Sequence, residues 1–129
     1  MADDTSYKLT VLVVDDDPFI LETVAKYLAL RDLNVISTTD PESVLSLTIE
    51  EKPRLIISDI AMPGMDGLTL LRTLKGNPDT SDVPVILLTS SHSAADMQDG
   101  LNAGADAYLL KPIDWTLSWP KIQTILMRL

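Results

Sequence analysis

Short apolar runs alternate with longer segments of helical periodicity along the whole chain. Leu9 to Val14 is the first run, rich in valine and ended by acidic residues. Pro18 to Leu30 reads as a helix. Asp17 is placed to cap it, Pro18 suits its first turn, and Ile20, Val24 and Leu28 recur every four residues. Asn34 to Thr38 is a short β-branched strand. Pro41 to Glu50 reads as a second helix, with Asp40 as cap and Val44 and Leu47 facing inward. Leu55 to Ser58 is the third strand. Gly64 and Gly67 bracket a loop before a helix over Leu68 to Lys75, which turns Leu68, Leu71 and Leu74 to the core and ends at Gly76-Asn77-Pro78. Val83 to Leu88 is almost wholly apolar, as a strand covered on both faces should be. Ser93 to Ala103 predicts a fourth helix with Met97 and Leu101 inward and Gly104 as terminator. Ala107 to Leu110 is the fifth strand. The last helix carries Ile122, Ile125, Leu126 and Leu129. Because Pro120 is expected in a first helical turn, this helix is predicted to be short, to begin near Trp119 and to be capped by Ser118.

Five strands alternating with five helices imply an α/β fold, a parallel sheet covered on both faces and joined by right-handed crossovers. Ligands in such folds gather outside the carboxyl ends of the strands, where strand order reverses. The residues at those ends are Asp15, Asp16 and Asp17, then Asp59, then Thr89, Ser90 and Ser91, and finally Lys111 with Pro112. The notable polar groups therefore share one edge.

Composition narrows the possibilities. A chain of 129 residues with 46% hydrophobic and 22% charged residues suits one soluble domain, here residues 9–129 behind a tail of residues 1–8. No apolar run is long enough to span a membrane, and the acidic start is not a signal peptide. The absence of cysteine excludes disulfides and thiolate metal sites and fits a cytoplasmic location. With a net charge of −9 and no Lys/Arg run, the chain has no footprint for nucleic acid. The excess of negative charge reads mainly as solubility and secondarily as a preference for basic partner surfaces.

Clustered carboxylates repel one another unless a cation binds them, and an all-oxygen donor set suits Mg²⁺ or Mn²⁺. Lys111 offers a cation at the far strand end, and Pro112 biases its backbone to an extended form. Thr89 offers a hydroxyl donor. An aspartate can attack phosphorus and form an acyl phosphate, with a metal ion and a lysine facing the oxygens that carry transition-state charge. The GxxxxGK[ST] nucleotide cradle is absent, so the phosphoryl group would arrive on a small donor or on another protein.

Val13-Val14-Asp15-Asp16-Asp17-Pro18, Ser58 to Gly67, Leu88-Thr89-Ser90 and Tyr108-Leu109-Leu110-Lys111-Pro112 together resemble the receiver domains of two-component response regulators, over essentially Leu9 to Leu129. The resemblance implies a flavodoxin-like (βα)5 sandwich with sheet order 2-1-3-4-5. It implies Asp59 as phosphoacceptor, Asp16 as direct Mg²⁺ ligand and Asp15 acting largely through water. Asp59 and the backbone carbonyl of Ala61 would complete the protein ligands. Lys111 is similar to the lysine that contacts the phosphoryl group, Thr89 to the switch hydroxyl, and Tyr108 to the aromatic whose rotamer follows it. The implied partners are a histidine kinase or histidine phosphotransfer protein and a downstream protein or output domain. A homodimer through the fourth helix, fifth strand and last helix is a further implied contact. The implied role is regulatory, with self-phosphorylation and weak autodephosphorylation but no turnover in the ordinary sense. Acting by protein contact, the chain would be a stand-alone receiver or one unit of a longer protein.

Two features depart from the family pattern. Ala61 and Ser91, at positions that tune acyl-phosphate hydrolysis, are small and offer no amide or carboxylate. Trp115 and Trp119 lie on the approach to the last helix, as cover for the core edge or as an aromatic patch for a partner. Two rival readings are weaker. An aspartate-nucleophile phosphatase would use Asp15 and Asp17 but leaves Asp59, Thr89 and Lys111 unexplained. A receiver-like scaffold independent of phosphorylation usually lacks a member of the set that is complete here.

Overall fold

The computed structural model describes residues 8–62, 65–90 and 93–128. In chain order the elements are β1 (Thr10–Val14), α1 (Pro18–Ala29), β2 (Asn34–Thr38), a 3-10 turn (Pro41–Ser43), α2 (Val44–Glu51), β3 (Leu55–Asp59), α3 (Gly67–Lys75), β4 (Val85–Thr89), α4 (Ala94–Asn102), β5 (Ala107–Leu110) and α5 (Trp115–Leu126). The strands form one parallel sheet in the order β2-β1-β3-β4-β5. Strand order reverses between β1 and β3. The expected α/β sheet and its order are those observed.

Period-two alternation along the central strands divides the core in two. Val11, Val13, Leu55, Ile57, Ile86 and Leu88 face α1 and α5, meeting Leu21, Val24, Leu28, Ile122, Ile125 and Leu126. Leu12, Val14, Ile56, Val85 and Leu87 face the other side, meeting Val44 of α2 and Leu70, Leu71 and Leu74 of α3. Burial on both faces explains why these strands read as unbroken apolar runs.

The helix starts follow the capping chemistry. Asp17 accepts from the Phe19 backbone N–H at 2.9 Å, with Pro18 in the first turn. Asp40 caps the 3-10 turn, accepting from Glu42 N–H at 3.0 Å. Asp66 accepts from Thr69 N–H at 2.7 Å, and Ser93 caps α4.

Three expectations are corrected. The last helix begins at Trp115, capped by Asp114, whose carboxylate accepts from Thr116 N–H at 3.0 Å. Ser118 is therefore buried inside the helix rather than capping it, and Pro120 stands at its sixth position. Packing compensates the proline. Trp115 and Trp119, one turn apart, both lie on Tyr27 of α1, stacked at 3.8 Å and edge-on at 6.2 Å. The Arg31 guanidinium sits over both Tyr27 and Trp119. The two tryptophans thus cover the α1–α5 core edge. In α4, Leu101 is 48% exposed and Gly100 is the buried position instead. In α3, Leu70 joins the expected Leu71 and Leu74 in the core, and Leu68 is half-buried and packed against it. Leu129 and residues 1–7 of the expected tail lie outside the described residues. Among the described residues, no helix is long and apolar enough to cross a membrane.

Candidate functional site

The sheet register delivers the polar strand ends to one edge. Val14 pairs with Ser58, Asp59 with Leu88, and Thr89 with Leu110. Asp15, Asp59, Thr89 and Lys111 therefore follow one another across β1, β3, β4 and β5, beside the point of strand-order reversal.

Asp15 is fully buried. Its Oδ1 accepts from Asp17 N–H at 2.9 Å, and its own N–H donates to Thr38 O at 3.3 Å. Its Oδ2 has no well-aligned hydrogen bond, and its compensation is the Lys111 ammonium, 2.9 Å away. Asp59 is 5% exposed. Its Oδ1 lies 3.4 Å from Lys111 Nζ and accepts from Ala61 N–H at 3.4 Å. Asp16 is exposed, and carboxylate oxygens of Asp15, Asp16 and Asp59 all lie within 4.8 Å of one another.

The electrostatics follow from this crowding. Burial, then repulsion from Asp15, raises the Asp59 carboxyl above its ordinary range, against the pull of Lys111 and the Ala61 N–H. Burial works against the Lys111 cation, but Asp15 and Asp59 outweigh it and hold the ammonium above its usual value.

These residues fit a hard divalent cation. The donors are all oxygen, and Asp15 Oδ2 is a buried acceptor with spare capacity. One lysine among three carboxylates leaves the cluster net negative. Asp17 stands apart from it as the α1 cap.

Thr89 ends β4 and is buried, and its carbonyl accepts from Lys111 N–H at 2.8 Å, which ties the lysine's backbone to β4. Tyr108, on β5, is half-buried, and its hydroxyl donates to the Asp96 carbonyl of α4 at 2.8 Å. Ala61 is exposed next to Asp59. Ser91, Pro63 and Gly64 lie outside the described residues.

The close-approach role of Gly67 and two surface clefts were not legible in the sequence. A Cβ at Gly67 would stand 2.4 Å from the Asp59 carbonyl, so glycine lets α3 start directly beneath the end of β3. Its N–H donates to Ile60 O at 2.7 Å. The signal was the Asp66-Gly67 pair, a cap followed by the residue that permits close approach. An apolar groove of about 220 Å³ also runs between α1 and the segment after β5, lined by Phe19, Ile20, Ile113 and Trp115. A wider cleft of about 580 Å³ lies at the opposite end of the sheet, where Asp106 is already paired with Arg128 at 2.8 Å.

The model of the response regulator receiver domain family matches residues 11–117. The response regulator PleD of Caulobacter vibrioides is 33% identical over 115 residues, which are 89% of this chain and 25% of PleD. The DNA-binding dual master transcriptional regulator RpaA of Synechocystis is 32% identical over 118 residues, 92% of this chain and 49% of RpaA. The crystal structure of the BeF3-activated N-terminal receiver domain of Klebsiella pneumoniae RstA superposes with a TM-score of 0.86 at 31% identity, covering 92% of this chain and 99% of that one. The chain thus spans a quarter to a half of the length of these curated relatives.

Proposed function

This chain belongs to the response regulator receiver domain family, and on that premise we propose that Asp59 takes a phosphoryl group from a histidine kinase or a histidine phosphotransfer protein. Residues 9–129 would be the receiver unit and residues 1–8 a tail. One observation carries the assignment of Asp59. Of the two clustered carboxylates that the Lys111 ammonium reaches, Asp15 at 2.9 Å and Asp59 at 3.4 Å, Asp59 is the one that keeps some exposure, 5% against 0%.

In the transfer, an Asp59 carboxylate oxygen forms a bond to phosphorus as the P–N bond of the donor phosphohistidine breaks. The departing imidazole keeps the electron pair and takes up a proton. Asp15, Asp16, Asp59 and the Ala61 carbonyl would hold Mg²⁺, with Mn²⁺ as a substitute. When bound, the metal supplies positive charge against the phosphoryl oxygens. Lys111 is held by Asp15 and can turn toward a phosphoryl oxygen without leaving the cluster. The raised carboxyl of Asp59 keeps the acceptor basic, which favours attack once it is ionised.

Phosphorylation adds acceptor oxygens for Thr89 and Lys111. Thr89 would move toward them and Tyr108 would follow, altering the α4–β5–α5 face. Leu101 and Leu117, 48% and 67% exposed, lie on α4 and α5 and supply apolar contacts for a downstream protein, an output domain or a second copy. The receiver is regulatory, and its own part in the chemistry is self-phosphorylation and slow loss of the group.

Intact mass after incubation with a small phosphoryl donor and Mg²⁺ tests the assignment. The expected result is a gain of one phosphoryl group that vanishes in Asp59→Asn. No gain, or a gain that survives in Asp59→Asn, overturns it.

A further inference from the structure

Helix α4 meets the sheet through a glycine. Gly100 is its one buried position, while Leu101 beside it is 48% exposed and Met97 one turn earlier is half-buried. Glycine inside a helix is destabilising relative to alanine, so its presence there needs a reason. Gly100 has ordinary helical backbone, so no left-handed conformation calls for it. The reason lies in what occupies the place of its missing side chain. A Cβ at Gly100 would stand 1.8 Å from the Tyr108 hydroxyl oxygen, 2.6 Å from Tyr108 Cζ and 2.8 Å from Leu87 Cδ1.

Tyr108 enters this niche from the side. On β5 it pairs in register with Leu87, and its ring joins the core on the α2–α3 side of the sheet. The hydroxyl donates to the Asp96 carbonyl one turn before Gly100, at 2.8 Å. The helix therefore grips the ring tip at two points, by an absent methyl group and by a carbonyl acceptor.

We propose that Gly100 is a positioning residue for the Tyr108 switch, its bare backbone forming the niche that holds the ring against α4. The proposal rests on the role given to Tyr108 above and adds the element that sets its resting position. A methyl group and the ring tip cannot share the niche. With alanine at position 100 the ring must leave or α4 must lift, and either change uncouples the α4–β5–α5 face from Asp59. No group of the acidic cluster is touched.

The test labels the tyrosines with 3-fluorotyrosine and assigns the Tyr108 ¹⁹F signal by its loss in Tyr108→Phe. In the wild type that signal should shift on treatment with a small phosphoryl donor and Mg²⁺. In Gly100→Ala it should already be displaced before treatment and should no longer respond, while intact mass still reports full phosphoryl uptake. A Tyr108 signal in Gly100→Ala at the wild-type position, with the wild-type response, overturns the proposal.

A stability comparison covers poor folding of the single variant. Gly100→Ala should lower Tm when Tyr108 is present and should raise it, or leave it unchanged, in a Tyr108→Ala background. The same drop in both backgrounds overturns the niche. If the wild type takes up no phosphoryl group, the phosphoacceptor reading fails. The niche is then judged by the resting Tyr108 signal and by the two Tm differences.

Discussion

Asp59 stands in a crevice that makes its own charge costly. Burial and the neighbouring Asp15 push its carboxyl up from 3.8, and Lys111 recovers only part of the difference. The unfolded chain loses this proton near 3.8, whereas the folded chain keeps it to higher pH. Between those two values the fold binds more protons than the unfolded chain, so stability falls as pH rises through the window. Above the window the loss is complete and constant. An uncharged isostere is free of it. Asp59→Asn should therefore raise Tm at pH 7 in the presence of a chelator, and the gain should shrink to nothing as pH falls below 3.8. A pH series of thermal unfolding curves reads the difference. A gain independent of pH, or a loss at pH 7, contradicts the electrostatic account. The same cost is what a bound cation would relieve, so the residue that the chemistry needs is one that the empty fold holds at a loss.

Elements were legible where local chemistry and packing agree. The caps Asp17 and Asp40 were readable because a short acceptor side chain ahead of an apolar-periodic segment has few other uses. The faces of α4 and the start of α5 were not. Met97 and Leu101 suggested an inward stripe, but the ring of Tyr108 draws α4 in at Gly100 and turns Leu101 outward. In α5 tertiary packing outweighs the helix-breaking tendency of Pro120. Pro120 has no N–H for the carbonyl of Thr116 and crowds that turn, yet the helix continues because Trp115 and Trp119 are anchored on Tyr27 and Arg31 of α1. A contact between residues some ninety positions apart is not visible in local periodicity. If packing carries this helix past a real defect, repairing the defect should add stability. Pro120→Ala restores one hydrogen bond and relieves the clash, offset in part by a more flexible unfolded chain. The net gain should be about 1–2 kcal/mol, a Tm rise of several degrees. A Tm that stays level or falls means that the proline ring supplies packing of its own.

At the scale of the whole molecule, the sheet explains why the site could be read before any coordinates. Parallel strands end on a common edge, so acidic, hydroxyl and basic residues that follow successive apolar runs must converge there. Separations of 44 residues between Asp15 and Asp59, and of 52 between Asp59 and Lys111, collapse to one ion-paired cluster. What the pattern could not reveal was the balance of charge within it. Lys111 leans on the buried Asp15 at 2.9 Å, nearer than it stands to Asp59 at 3.4 Å, and Asp16 faces solvent. The cluster remains net negative, and a ligand that binds the folded chain but not the unfolded one stabilises it by mass action. Mg²⁺ should therefore raise Tm, by the equivalent of about 2.7 kcal/mol at a hundredfold excess over its Kd. Asp16→Ala should lose most of that response, because it removes the donor most open to an arriving cation without disturbing the Asp15–Lys111 pair. Sodium chloride at matched ionic strength separates site binding from general screening of a chain with net charge −9. Equal shifts in the two salts, or an undiminished Mg²⁺ shift in Asp16→Ala, would mean that the acidic edge is not a metal site.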